Sequence, residues 1–144
     1  HWTNLSRVNL IGAELREVGF NHSTSVGAEL SGAELRNADF RGAANFTDAD
    51  FRGADLRNAN MFRAILRGAD FRGANLRNAN LSNASLNGAN FRSANLREAD
   101  LRGAILEGAD FSNAEWCTRG CICAEGSIGT CNGCQTAANR CGQF

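Results

Sequence analysis

The chain is expected to be an all-β solenoid of stacked four-sided coils, and three observations lead there. From Ala49 to Trp116 one five-residue word repeats without a gap: ADFRG, ADLRN, ANMFR, AILRG, ADFRG, ANLRN and so on to AEWCT. A period of five suits neither regular element. In an α-helix it leaves successive large apolar residues ~140° apart, spread around the cylinder, and in a flat strand it throws them onto alternate faces. The chain must therefore turn once per word. Thirdly, reading every fourth word aligns like with like, which is what a closed coil of four sides stacked on copies of itself requires.

If the large apolar residue is called i, alanine sits at i−2, Asp, Asn or Glu usually at i−1, commonly Arg at i+1, and Gly, Asn or another small polar residue often at i+2. Within a word, i−2 and i share a side as strand residues do, and Gly, Asn and Asp supply turn chemistry at the corner. In chain order the early words are looser: TNLSR, VNLIG, AELRE, VGFNH, STSVG, AELSG, AELRN and ADFRG, with Leu5, Leu10, Leu15, Phe20, Ser25, Leu30, Leu35 and Phe40 at i. STSVG places Ser23 and Ser25 where Ala and Leu belong, so a local bulge or loop is expected there. One extra residue follows at Ala43 or Ala44, a corner bulge rather than a domain boundary. The register then runs unbroken through Phe46, Phe51, Leu56, Met61 and Leu66 to Trp116. Thr3 to Thr118 holds twenty-three words, nearly six coils, a rod roughly 28 Å long at the ~4.8 Å spacing of paired strands.

The word resembles, almost letter for letter, the A(D/N)LXX unit of the pentapeptide-repeat family. The resemblance covers residues 3–118. It implies a right-handed quadrilateral β-helix of about twenty residues per coil, with i and i−2 inside and i−1, i+1 and i+2 outside. It carries little about activity, because the family is functionally mixed.

Residues twenty apart are expected to stack. Inside, Phe51, Phe71, Phe91 and Phe111 fall on one face, and Leu15, Leu35, Leu56, Leu76 and Leu96, ending at Trp116, on the next. Outside, Arg16, Arg36, Arg57, Arg77 and Arg97 form one ladder and Arg52, Arg72 and Arg92 another. Stacked guanidinium groups suggest a nucleic-acid stripe. Against it, Glu14, Glu34, Asp55, Asp50, Asp70 and Asp110 share those faces, the formal net charge is zero, and no exposed aromatic pattern accompanies the arginines. Mixed-charge ladders that keep the rod soluble are expected instead, with no nucleic-acid partner. Some pentapeptide-repeat proteins mimic DNA and bind gyrase, but that behaviour needs a strongly acidic surface, which this chain lacks.

All fifteen basic residues are Arg, and Lys, Pro and Tyr are absent. Lack of Pro agrees with a ladder that uses most backbone N–H groups. Lack of Lys removes Schiff-base and most P-loop chemistry, and no GxGxxG, HExxH or GxSxG motif occurs. His1 and His22 are the only imidazoles, and the carboxylates follow the repeat without converging on a pocket. The chain reads as non-enzymatic, without a cofactor, a catalytic residue or a metal site in the solenoid. No signal-peptide or membrane-span pattern occurs, so no membrane partner is expected and any targeting segment is expected to have been removed.

The segment 117–144 breaks the repeat and contains every cysteine of the chain: Cys117, Cys121, Cys123, Cys131, Cys134 and Cys141. An even number in a short Gly-rich stretch reads as a disulfide-stapled C-terminal cap of open connectivity. The competing reading is a four-thiolate zinc site from Cys121, Cys123, Cys131 and Cys134, whose C-x-C and C-x2-C spacing departs from the usual knuckles and leaves two cysteines over. Disulfides would place the protein outside the cytosol, secreted, or alternatively in a periplasm or thylakoid lumen. Asn4, Asn21, Asn45, Asn80 and Asn83 head N-x-S/T sequons, glycosylation candidates that matter only in a secretory host.

An open solenoid coil exposes unpaired backbone groups and an apolar cross-section. The cysteine segment can cover one end, while only His1 and Trp2 precede the first word. The leading expectation is therefore a secreted structural rod associating head-to-tail into an extracellular fibril. The alternative is a monomeric or dimeric scaffold holding a protein or acidic glycan on its Arg/Asp faces. Metal binding by the tail is a third.

Overall fold

In the computed structural model, residues 3–115 are described; His1, Trp2 and residues 116–144 lie outside, and with them Trp116, the six cysteines and the expected C-terminal cap. The backbone alternates single-residue parallel bridges with tight turns, one of each per word. Every bridge joins an i−1 residue to its counterpart four words on, as in Asn4↔Thr24, Glu14↔Glu34, Asp55↔Asn75 and Asn95↔Glu115. We number the coils 1 (3–22), 2 (23–43), 3 (44–63), 4 (64–83), 5 (84–103) and 6 (from 104), and the four faces by their coil 1 centres, Leu5, Leu10, Leu15 and Phe20.

One word shows why five residues suffice. In 79–83, Ala79 N–H closes the preceding turn onto Leu76 O at 2.9 Å, Asn80 N–H donates back to Ala59 O at 2.9 Å, and Leu81 N–H donates forward to Asp100 O at 2.7 Å. Asn83 N–H donates forward to Arg102 O at 2.9 Å, and Ser82 N–H is taken by the word's own Asn80 Oδ1 at 3.0 Å. All five donors are used, as a folded backbone requires. The i+1 N–H points away from both neighbouring coils, so a short side-chain acceptor two residues back satisfies it as an Asx turn. That is why Asp or Asn recurs at i−1.

The corner has an equally local cause. Each turn runs from i to i+3 and places i+2 at positive φ, +63° at Gly53, +58° at Asn58 and +59° at Asn78. A single positive φ at the third turn residue is the type II signature, which favours Gly and Asn. Between coils 2 and 3 two successive residues, Gly42 and Ala43, take positive φ of 74° and 61°. They absorb the extra residue inside the turn 41–43, and Ala44 enters the core fully buried. The bridge interval lengthens to Thr24↔Asn45 and then returns to the four-word step at Asn45↔Ile65.

The expected break at STSVG does not occur. Thr24 bridges both Asn4 and Asn45, while Ser23 and Ser25 are buried in the core, their hydroxyls 3.4 Å apart. Backbone pairing on both sides outweighs two small polar residues. Around this level the core is crowded with rings: Phe20 stacks on Phe40 at 5.0 Å and Phe40 meets Phe46 edge-on at 5.0 Å. Further on, Phe51, Phe71, Phe91 and Phe111 stack with centroids 4.9, 4.8 and 4.8 Å apart and planes within 3°. The rings are separated by the coil spacing itself. Leu56 and Leu76 are fully buried on the next face and Leu96 nearly so.

Candidate functional site

The outward rows carry the charges, and five Asp–Arg pairs close within a single word. Asp39–Arg41, Asp50–Arg52, Asp55–Arg57, Asp70–Arg72 and Asp100–Arg102 place the Arg fork on the carboxylate of the same ADxR word, with closest approaches of 2.6–2.8 Å. The same Asp Oδ1 accepts the Arg backbone N–H, for example at 3.0 Å in Asp50–Arg52. The cap therefore positions the carboxylate for the guanidinium. The Arg52, Arg41 and Arg102 forks hold the carboxyls of Asp50, Asp39 and Asp100 below the usual range. Asp55 falls to about 2, chiefly through Arg57 and further through Arg36 from the coil below.

The other ladder arginines reach the next coil. Arg16 bonds Glu34, Arg77 lies 3.2 Å from Glu98, Arg92 lies 3.7 Å from Asp110 and Arg97 lies 2.5 Å from Glu115. A hydroxyl replaces the guanidinium at Ser112, whose Oγ donates to Asp110 Oδ1 at 2.6 Å and lowers that carboxyl. Thus the ladders read from sequence exist as rows, but their members are held in carboxylate pairs rather than presented as free cations. The signal for this was the Asp–x–Arg spacing within one word.

Among the sequons, Asn4, Asn45 and Asn80 occupy i−1 and act as caps; Asn45 Oδ1 also accepts the Thr47 hydroxyl at 2.7 Å. Asn21 sits at i+1, and Asn83 at i+2 with φ of 57°. Among the described residues no cluster of three or more His, Cys, Asp or Glu could hold a metal ion, and no helix is long and apolar enough to cross a membrane.

One surface departs from this closed bookkeeping. In coils 2–5 each i−1 N–H donates to the coil below, as Thr24, Glu29, Glu34 and Asp39 do to Thr3, Val8, Ala13 and Val18. Coil 1 has no coil below it among the described residues. Among the described residues, the N–H and C=O groups of Asn4, Asn9, Glu14 and Gly19, one residue at the middle of each side, find no backbone partner. The apolar residues of the same coil, Leu5, Val8, Leu10, Leu15 and Val18, are only half-buried, whereas Leu30 and Leu35 one coil higher are fully buried.

The model of the family described as pentapeptide repeats matches eight copies over residues 3–42, 43–78 and 74–113. Among solved structures, the pentapeptide repeat protein Rfr23 from the cyanobacterium Cyanothece 51142 is 29% identical, with a TM-score of 0.64 over 74% of this chain and 82% of that one. The pentapeptide repeat protein alr5209 from Nostoc PCC 7120 is 39% identical, with a TM-score of 0.57 over 65% of this chain and 76% of that one. A pentapeptide repeat protein from the thylakoid lumen of Arabidopsis thaliana is 29% identical, with a TM-score of 0.48 over 73% and 69%. No curated protein matches the chain. The five-residue word, the turn in every word and the matched family model together place this chain in the pentapeptide-repeat family, whose solved members imply a right-handed β-helix solenoid.

Proposed function

We propose that this protein is a non-enzymatic structural scaffold, a β-solenoid rod that associates end to end. The carrying observation is the repeated coil: each described coil bonds the next through the i−1, i and i+2 groups of its words, a pattern that a coil of a second copy can continue. A β edge that carries such a pattern templates pairing with another chain. The non-enzymatic reading is supported by the dispersal of acids and bases over the outer rows in fixed pairs, which among the described residues brings no acid, base and nucleophile together.

Head-to-tail growth into a fibril is the open-ended form of this assembly, and the six-cysteine segment 117–144 suggests an oxidising compartment, secreted or lumenal. The reading is tested on native, non-reduced protein by sedimentation velocity and negative-stain electron microscopy over a concentration series. Oligomers that grow with concentration are expected. Rods that remain monomeric at high concentration refute it. Thiol titration of the denatured, unreduced chain addresses the compartment: absence of reactive thiols is expected, and six free thiols would refute the disulfide reading.

A further inference from the structure

From coil 3 onwards the Asx cap fails on a single face. In the described words from Thr47 on, the i+1 N–H is taken by the Asp or Asn at i−1 in all but three. The exceptions, AILRG, ASLNG and AILEG, are the face 1 words of coils 4, 5 and 6, stacked through Ile65↔Ser85 and Ser85↔Ile105. With Ile or Ser at i−1, the outward N–H groups of Arg67, Asn87 and Glu107 find no partner among the described residues. Arg67 and Glu107 also depart from the paired charges of the other faces. Arg67 Nε reaches the Ser85 hydroxyl at 3.0 Å, and among the described residues neither side chain meets an opposite charge. Ile105 is 53% exposed and Ile65 half-buried. The corner row beside them is Gly68, Gly88 and Gly108, which adds no side chain to the face.

Along the rod this face therefore reads Ile65, Ser85, Ile105 at i−1 and Arg67, Asn87, Glu107 at i+1. Turned about a two-fold axis that lies along the coil 5 side, the set meets its own complement: Ile65 faces Ile105, Arg67 faces Glu107 and Asn87 faces Asn87. We infer that face 1 of coils 4–6 is an isologous docking surface for the same face of a second copy of this chain, two rods lying side by side and antiparallel. Glu107 of one copy brings a carboxylate to the guanidinium and uncapped N–H of Arg67 in the other, and the two Asn87 amides bring acceptors to each other's N–H. Parallel rods would instead set Ile65 against Arg67. A purely acidic partner suited to Arg67 would be repelled two coils on by Glu107, and a purely basic one by Arg67; a second copy satisfies both. Three coils at ~4.8 Å make a contact roughly 14 Å tall, smaller than the ~800 Å² per partner of a stable dimer. Pairing of single rods is accordingly weak, and it strengthens by repetition along rods joined end to end. The contact uses a side of the rod and leaves both ends untouched, so it widens an end-to-end assembly without closing it.

The experiment uses the full native chain at rising concentration, with the cross-section of the particles read by small-angle X-ray scattering and negative-stain electron microscopy. Lateral pairing doubles the cross-section, whereas end-to-end growth changes length alone. A doubling is expected. Arg67→Glu and Glu107→Arg each turn two attractions into two like-charge contacts, so either variant alone is expected to pair roughly ten- to hundredfold more weakly at an unchanged urea midpoint. An equimolar mixture of the two variants is expected to pair as the parent does, because each copy then faces the opposite charge at both positions. Ile65→Asn supplies the missing cap for the Arg67 N–H; it is expected to keep the fold and weaken pairing, which keeps the test open if a charge reversal does not fold. A cross-section that stays that of one rod at every concentration overturns the inference and leaves end-to-end association, read from length, standing. Pairing indifferent to all three variants overturns it too, as does a mixture that pairs no better than its components.

Discussion

The column of four rings on face 2 gives the most direct test of how this rod is held together. Phe71 is fully buried, with Phe51 at 4.9 Å on one side and Phe91 at 4.8 Å on the other, planes within 3° in both cases. Replacing it by leucine, the residue that other words use at i, keeps the position apolar and changes no backbone bond. What is lost is two stacked pairs at about 0.5–1.5 kcal/mol each beyond area burial. A further ~1 kcal/mol follows from imperfect refilling of a slot shaped for a flat ring. Phe71→Leu is therefore expected to cost about 2–4 kcal/mol, read from the shift in urea midpoint at unchanged slope. A double-mutant cycle with Phe91→Leu isolates one pair, with an expected coupling of about 0.5–1.5 kcal/mol. Each coil contacts only its neighbours, so two probes in different coils are followed to detect partial unfolding. A cost below ~0.5 kcal/mol together with no coupling would refute the view that stacking, rather than mere apolar filling, stabilises this face.

Asn80→Ala removes the acceptor for both Ser82 N–H and Ser82 Oγ and should cost about 1 kcal/mol, whereas Asn80→Asp keeps the cap and stays within ~0.5 kcal/mol; equal losses would show that the cap contributes nothing. Asp55 is held at about 2 by Arg57 and Arg36, below its ordinary value near 3.8, so its contribution is present above pH 4 and lost as pH falls toward 2. Asp55→Asn should remove part of the parent's acid-limb loss, at most about 2 kcal/mol and less after solvent screening, and an unchanged acid limb in a pH series of urea melts would contradict this. At Gly73, with φ of +64° and open space where a Cβ would lie, Gly73→Asn should be nearly neutral and Gly73→Val should cost about 1–2 kcal/mol; similar values for the two would show that left-handed geometry is not what limits the site. Ser25→Leu restores the repeat's usual residue yet is expected to cost about 1–3 kcal/mol by overpacking a buried position one coil below Phe46, and a stabilised Ser25→Leu would mean that space remains there.

Much of this architecture is legible in the linear chain because the repeat is shorter than the coil. A word that turns once per five residues and matches itself every four words leaves a square coil as its solution, and the inner rows Phe51 to Phe111 and Leu15 to Leu96 can be counted off directly. The outer rows can be counted too, but not their chemistry. Whether Arg52 faces solvent as a free cation or closes on Asp50 depends on the cap that aims the carboxylate, and that cap is visible only once the i+1 N–H is seen to point away from both neighbouring coils. The serines of STSVG mislead for a related reason. Read singly they mark a loop, yet Thr24 between them is paired to the coils below and above, and those bonds hold the word in register whatever its side chains prefer. Likewise the extra residue near Ala43 and Ala44 is plain in the spacing, but only the turn geometry decides that Gly42 and Ala43 take it up and that Ala44 goes inward.

The sequence by itself determined the coil, its register, the apolar interior and the charge neutrality, since each follows from composition at fixed positions of a short period. The tertiary structure decided which donors and acceptors find partners, because hydrogen bonds between coils join residues twenty apart.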